Sequence, residues 1–64
     1  MVTLDQLELN VKHRFYDLCI ENRFQYPILM SRFYAELRKT NNTAKDYVKS
    51  YNLVKDWALN EYYG

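Results

Sequence analysis

Few residues of this chain are of the types that carry out catalysis. It contains one histidine, His13, and one cysteine, Cys19, in the same short segment. A structural zinc site needs four such ligands, and one cysteine forms no internal disulfide. The single glycine is the last residue, which excludes a glycine-rich phosphate loop. The sequence therefore predicts a protein that is not an enzyme and that uses no metal or cofactor.

Two other features of this segment have a chemical interpretation and a structural one. Asp17 and Glu21 are one helical turn apart, a spacing at which two carboxylates can share a cation. Carboxylates on a helix surface are more often solvated, and we expect that here. Cys19 falls at the edge of an apolar face, where a thiol is usually packed and unreactive.

The elements that position these residues are predicted by apolar spacings of three and four, the period of an amphipathic helix. The first stretch covers residues 3–22, with Thr3 as a plausible N-cap. Its predicted core face consists of Leu4, Leu7, Val11, Phe15 and Leu18. Three further apolar residues lie off that face: Leu9, Tyr16 and Ile20.

The second stretch covers residues 27–39. Pro27 disfavours a helical residue before it and suits the first position of a new helix, so the helix is predicted to start there. Its predicted buried face consists of Leu29, Met30, Phe33 and Leu37. The turn that follows, residues 40–42, contains Thr and Asn, which favour turns and caps.

The third stretch covers residues 43–62, and Asp46 stands three residues after Thr43 in the spacing of a capping box. Its predicted core stripe consists of Ala44, Tyr47, Tyr51, Val54 and Ala58. A polar stripe lies opposite: Lys45, Lys49, Asn52, Asp56 and Asn60. The sequence thus predicts one all-α domain over residues 1–64, with three helices joined by short loops that favour antiparallel neighbours.

Size and composition favour association with another molecule. A chain of 64 residues buries only about 60% of its unfolded surface, yet 48% of these residues are apolar and 17% are aromatic. We therefore expect a protein-interaction module that regulates, inhibits or adapts a protein partner, pairs with itself as a homodimer and thereby forms a larger bundle. The predicted interface residues are Tyr16, Ile20, Arg23, Phe24, Tyr26, Arg32, Tyr34, Leu53, Trp57 and Tyr63.

A DNA-binding regulator of the helix-turn-helix type is the alternative. The net charge is only +1, but residues 23–49 contain six basic residues against two acidic ones. The second helix, the polar turn and the third helix also follow in the order of a reader whose second helix enters the major groove. The predicted contact residues are Arg38, Lys39, Lys45, Lys49 and Asn52.

The sequence also indicates in which cellular compartment the protein is expected. It has no apolar run near the ~20 residues of a membrane span, and its start lacks the pattern of a signal peptide. A lone thiol suits a reducing compartment, so we expect a cytoplasmic protein with no membrane partner. The bias toward Tyr, Asn and Lys is typical of AT-rich coding sources such as phages and other mobile elements, which would place the protein in a host cytoplasm.

Overall fold

The structure is a computed structural model that describes residues 3–61. Three helices make up this part of the chain: α1 (Leu4–Asn22), α2 (Tyr26–Leu37) and α3 (Ala44–Glu61). Residues 3–61 contain no strand, so the predicted all-α, three-helix fold is confirmed. The observed bounds lie within two residues of the predicted ones, and the predicted last position, residue 62, lies outside the described residues.

Local hydrogen bonds fix both ends of α1. The hydroxyl of Thr3 accepts a bond of 3.1 Å from the backbone N–H of Gln6, which confirms the predicted N-cap. At the other end, Arg23 takes the left-handed conformation with φ of 60°. This turn lets the N–H of Phe24 donate to the carbonyl of Cys19 at 3.1 Å, and the helix stops there.

The second helix, α2, ends at Leu37, two residues before the predicted position 39. The N–H of Lys39 bonds to the carbonyl of Glu36 and the N–H of Thr40 to that of Leu37, which tightens the last turn beyond the α-helical pattern. The hydroxyl of Thr40 also donates to the Leu37 carbonyl, at 2.6 Å. Because these bonds satisfy the last carbonyls, the helix ends at Leu37.

The start of α3 contains the predicted capping box. The N–H of Asp46 donates to the hydroxyl of Thr43 at 3.3 Å, and the N–H of Thr43 donates to the Asp46 carboxylate at 3.0 Å. Just before it, Asn42 adopts φ of 57°, the left-handed conformation that asparagine tolerates better than most residues.

Each helix packs against the other two around an aromatic centre. The ring of Phe15 on α1 lies 5.8 Å from that of Phe33 on α2 and 4.9 Å from that of Tyr51 on α3. Early residues of α1 meet late residues of α2, as in the contact of Glu8 with Tyr34, so this pair is antiparallel as predicted. The buried residues are Val11, Phe15, Cys19, Leu29, Met30, Phe33, Leu37, Tyr47, Ser50, Val54 and Ala58.

Two predicted core residues are exposed. Leu4 is 45% exposed, and Ala44 is exposed as well. Both stand in the first turn of their helix, at the end of the bundle, where the neighbouring helices no longer cover them. Conversely, Ser50 is buried on α3 although its polar side chain kept it out of the predicted core.

Candidate interaction surfaces

A line of large apolar side chains runs along α1 on the side away from the core. Leu9 is 46% exposed, Tyr16 is 58% exposed and Ile20 is 64% exposed. Together with the exposed His13, they repeat at intervals of four, three and four residues, which places them on one face of the helix. We call these four residues the α1 outer face. Val11, Phe15 and Cys19 point the opposite way, into the core.

The predicted interface residues near the turn between α1 and α2 lie together beside this face. The ring centroids of Tyr16 and Tyr26 are 6.1 Å apart in an edge-to-face arrangement, so α2 contributes to its rim. Tyr26 and Phe24 are half-buried and pack against the core, whereas Arg23 is exposed. Of this group, Tyr16, Ile20 and Arg23 are exposed.

Tyr34, also predicted at the interface, is engaged within the chain. Its hydroxyl donates to Oε1 of Glu8 at 3.2 Å, and the same oxygen lies 3.2 Å from Nζ of Lys12. Burial first, and then the charge of Glu8, raises the pKa of the Tyr34 hydroxyl. The hydrogen bond to Glu8 raises the pKa of Lys12. Tyr34 therefore links α2 to α1, and its polar tip already has a partner.

The remaining predicted interface residues that the structure describes lie in the groove between α2 and α3. The guanidinium carbon of Arg32 is 4.2 Å from the ring centroid of Trp57. Leu53, which is 49% exposed, stands one turn from Trp57 and lines the same small cavity of about 230 Å³. The predicted set thus divides between the α1–α2 side of the bundle and the groove between α2 and α3. Tyr63 lies outside the described residues.

The residues predicted to bind nucleic acid lie in two places. Arg38 and Lys39 are exposed just beyond the end of α2, where Nζ of Lys39 is 3.7 Å from Oε2 of Glu36. Lys45, Lys49 and Asn52 are exposed on the outer side of α3.

The basic side of α3 is also apolar. A cavity of about 600 Å³ is lined by Lys45, Lys49 and Asn52 together with Val48, Leu53 and Leu7 of α1. Val48 is 53% exposed, so it adds apolar surface between the lysines. The sequence suggested that Leu53 and these basic residues belong to alternative surfaces, but the fold brings them to one.

Asp46 does not simply neutralise the lysines beside it. Its carboxylate accepts hydrogen bonds from the backbone N–H and the hydroxyl of Thr43. These bonds, in that order, lower the pKa of Asp46 below its ordinary value, and Lys49 adds a smaller contribution. The carboxylate is thus fixed at the start of α3, where its negative charge also interacts favourably with the helix dipole.

Other kinds of site are not found in residues 3–61. No three His, Cys, Asp or Glu side chains cluster in a way that would hold a metal ion. None of the described helices combines the length and the apolar character needed to cross a bilayer. Cys19 is buried, as predicted, and burial raises the pKa of its thiol.

Comparisons with protein-family models, with curated proteins and with solved structures give no match to this chain. The chemistry of its own surface is therefore the basis for a functional hypothesis. Leu9 and His13 are members of the α1 outer face that the predicted interface does not include. The sequence spacing could have identified both residues, because they stand seven and three residues before Tyr16, on the same side of the helix.

Proposed function

We propose that this protein is a binding module without catalytic activity, which regulates or inhibits a protein by covering part of its surface. The α1 outer face carries the proposal, because three large apolar residues are exposed along one line on a chain with a small core. Fully burying a Leu or Ile side chain is worth roughly 1.5–3 kcal/mol. Covering Leu9, Tyr16 and Ile20 would therefore supply a substantial part of the free energy of association.

The distribution of polar residues around this face supports protein binding. Interfaces combine an apolar centre that contains aromatic residues with a charged rim. Here Tyr16 and Ile20 are central, while Asp17 and Arg23 are exposed nearby on the same helix and its cap. Tyrosine and arginine also recur among the residues that dominate binding free energies.

The test is recovery of bound macromolecules from source cells with the tagged full chain, with and without nuclease treatment. We expect a protein partner that survives nuclease and is lost with Ile20→Asp. Ile28→Asp is the matched control, because Ile28 is an exposed isoleucine of α2 outside the α1 outer face. Equal binding by both variants, or loss of the partner on nuclease treatment, would contradict the proposal.

Nucleic-acid binding through α3 is the second candidate. It is favoured by the exposure of Lys45, Lys49 and Asn52 side by side on the outer face of that helix. A mobility shift should then weaken steeply with salt, because each phosphate contact releases counterions. Lys45→Glu with Lys49→Glu should abolish the shift, while Ile20→Asp should leave it unchanged. A shift that is insensitive to both lysines would exclude α3 as the binding element.

A further inference from the structure

We infer that a second copy of this chain covers the α1 outer face, with the two α1 helices packed antiparallel across a two-fold axis. The inference rests on the proposed function, since it uses the same face, and it adds the occupant and the orientation. Leu9, His13, Tyr16 and Ile20 are separated by four, three and four residues, a spacing that is the same in both chain directions. A face with such a spacing can pair with itself.

The spacing also sets the register. A two-fold axis between His13 and Tyr16 places Leu9 opposite Ile20 of the second copy, and His13 opposite Tyr16 of the second copy. Every contact then occurs twice, as an isologous interface requires. Each large aliphatic residue meets another aliphatic residue, and the tyrosine ring meets the imidazole. No polar side chain has to be buried against an apolar one at the ends of the face.

Charge at the two ends of α1 favours the antiparallel orientation. Asp5 is exposed in the first turn, and Arg23 is exposed at the C-cap. In the antiparallel register Asp5 lies level with Arg23 of the second copy, on the same side of the pair. A parallel pair would instead place like charges together at each end. Lys12, which flanks the face, already has Glu8 of its own chain 3.2 Å away, so its charge is compensated.

The size of the chain supplies the reason for self-association. Small domains often use disulfides, metals or partner subunits to reach adequate stability. The one cysteine is buried, and residues 3–61 hold no cluster of metal ligands. Pairing would cover Tyr16 and Ile20, the two most exposed large apolar side chains of residues 3–61. One helix pair buries less than the ~800 Å² per partner of a standard interface, so we expect a dimer that dissociates on dilution in the micromolar range.

Sedimentation equilibrium from low micromolar to several hundred micromolar measures this association. We expect the mass to rise from one chain of 7.8 kDa toward two. Ile20→Asp should weaken the association at least tenfold, and Ile28→Asp should leave it unchanged. Circular dichroism confirms that each variant remains helical. A monomer throughout the range, or a dimer that tolerates Ile20→Asp, would overturn the inference.

Charge reversal provides a second test that does not depend on the apolar core of the interface. Asp5→Arg alone and Arg23→Asp alone should each weaken the dimer several-fold, because each places like charges level with one another. The double variant should recover most of the loss, since it restores opposite charges in reversed order. The contrary outcome is a dissociation constant of the double variant that rises by the product of the two single fold-changes. In that case Asp5 and Arg23 do not face each other.

Cross-linking tests the orientation in a Cys19→Ala background. A disulfide needs Cα atoms no more than about 7 Å apart. In the antiparallel pair Leu9 is opposite Ile20 of the second copy, whereas the two Leu9 positions are about 16 Å apart along the axis. Mixed Leu9→Cys and Ile20→Cys chains should therefore cross-link with each other, and Leu9→Cys alone should not. Cross-linking of Leu9→Cys alone would overturn the antiparallel register.

The outcomes also separate this inference from the proposed function. A strictly monomeric chain that loses a foreign protein partner on Ile20→Asp would retain the proposed function and refute self-pairing. The opposite result is a dimer that Ile20→Asp weakens as expected, together with recovery of no other protein from source cells. It would support self-pairing and refute regulation of a separate partner.

Discussion

The guanidinium carbon of Arg32 lies 4.2 Å from the centroid of the Trp57 ring and joins α2 to α3 across their groove. Arginine and tryptophan are residue types that often anchor an interface, yet here they contact each other within one chain. An arginine over an indole ring at this distance is attracted by the negative face of the ring. The contact therefore holds these two amphipathic side chains together at the groove between α2 and α3.

We predict that Arg32→Ala lowers the free energy of unfolding by about 0.5–1 kcal/mol. Trp57 is the only tryptophan, so its fluorescence reports the change directly. Its emission should move to longer wavelength as water reaches the ring. Arg38→Ala is the control, because Arg38 lies just beyond the end of α2, beside Asn42 and Tyr47. An unchanged emission maximum in Arg32→Ala would show that the guanidinium does not shield the indole.

Ser50 leads to a prediction of increased stability. Its side chain is 1% exposed, and within residues 3–61 its hydroxyl makes no hydrogen bond. A buried hydroxyl without a partner costs roughly 1–3 kcal/mol in protein substitutions. We therefore expect Ser50→Ala to raise the free energy of unfolding by about 1 kcal/mol or more in a urea titration.

Ser31→Ala is the matched control for this change. Ser31 is an exposed helical serine on α2, so its replacement gains only the higher helix propensity of alanine, about 0.5 kcal/mol. The difference between the two variants isolates the buried hydroxyl. Equal effects would show that the Ser50 hydroxyl is satisfied in solution.

The capping box predicts how stability depends on pH. The pKa of Asp46 is lower in the folded chain than its ordinary value of 3.8, because the carboxylate accepts bonds from Thr43. Its contribution to stability is therefore complete above that ordinary value and is lost as the pH falls through the lower folded pKa. The melting temperature of Asp46→Ala should fall less between pH 5 and strongly acidic solution than that of the natural chain. Asp56→Ala should follow the natural chain, because Asp56 is exposed and lies outside the cap.

Helical periodicity predicts most of this fold because burial in a bundle depends mainly on which side of the helix a residue occupies. Val11, Phe15, Phe33 and Val54 are buried where their spacing places them. The predicted burial of Leu4 is wrong because periodicity contains no information about where the neighbouring helix ends. The end of α2 lies two residues before the predicted one because the bonds of Lys39 and Thr40 depend on the turn that follows.

The sites were less predictable than the core, because they depend on which helices become neighbours. The contact between Glu8 and Tyr34 spans 26 positions in the sequence, so no local pattern indicates that Tyr34 is engaged within the chain. The pairing of Arg32 with Trp57 is equally remote. In contrast, the α1 outer face is a feature of one helix, and the sequence alone places Leu9, Tyr16 and Ile20 off its core face.

Arg23 provides the last prediction, because its backbone and its side chain have opposing roles. At φ of 60° an arginine pays a conformational cost of about 1–2 kcal/mol that glycine does not, partly offset by the greater freedom of glycine in the unfolded chain. At concentrations low enough for a monomer, Arg23→Gly should therefore raise the free energy of unfolding by up to about 1 kcal/mol. Asn42→Gly should gain less, since asparagine adopts φ of 57° more readily.

At high concentration the same Arg23→Gly variant should associate more weakly than the natural chain, because it lacks the charge that faces Asp5 of the second copy. A variant that is more stable as a monomer and weaker as a dimer would separate the two roles in one pair of measurements, urea unfolding and sedimentation. A rise in both monomer stability and dimer affinity would show that only the backbone conformation of Arg23 matters.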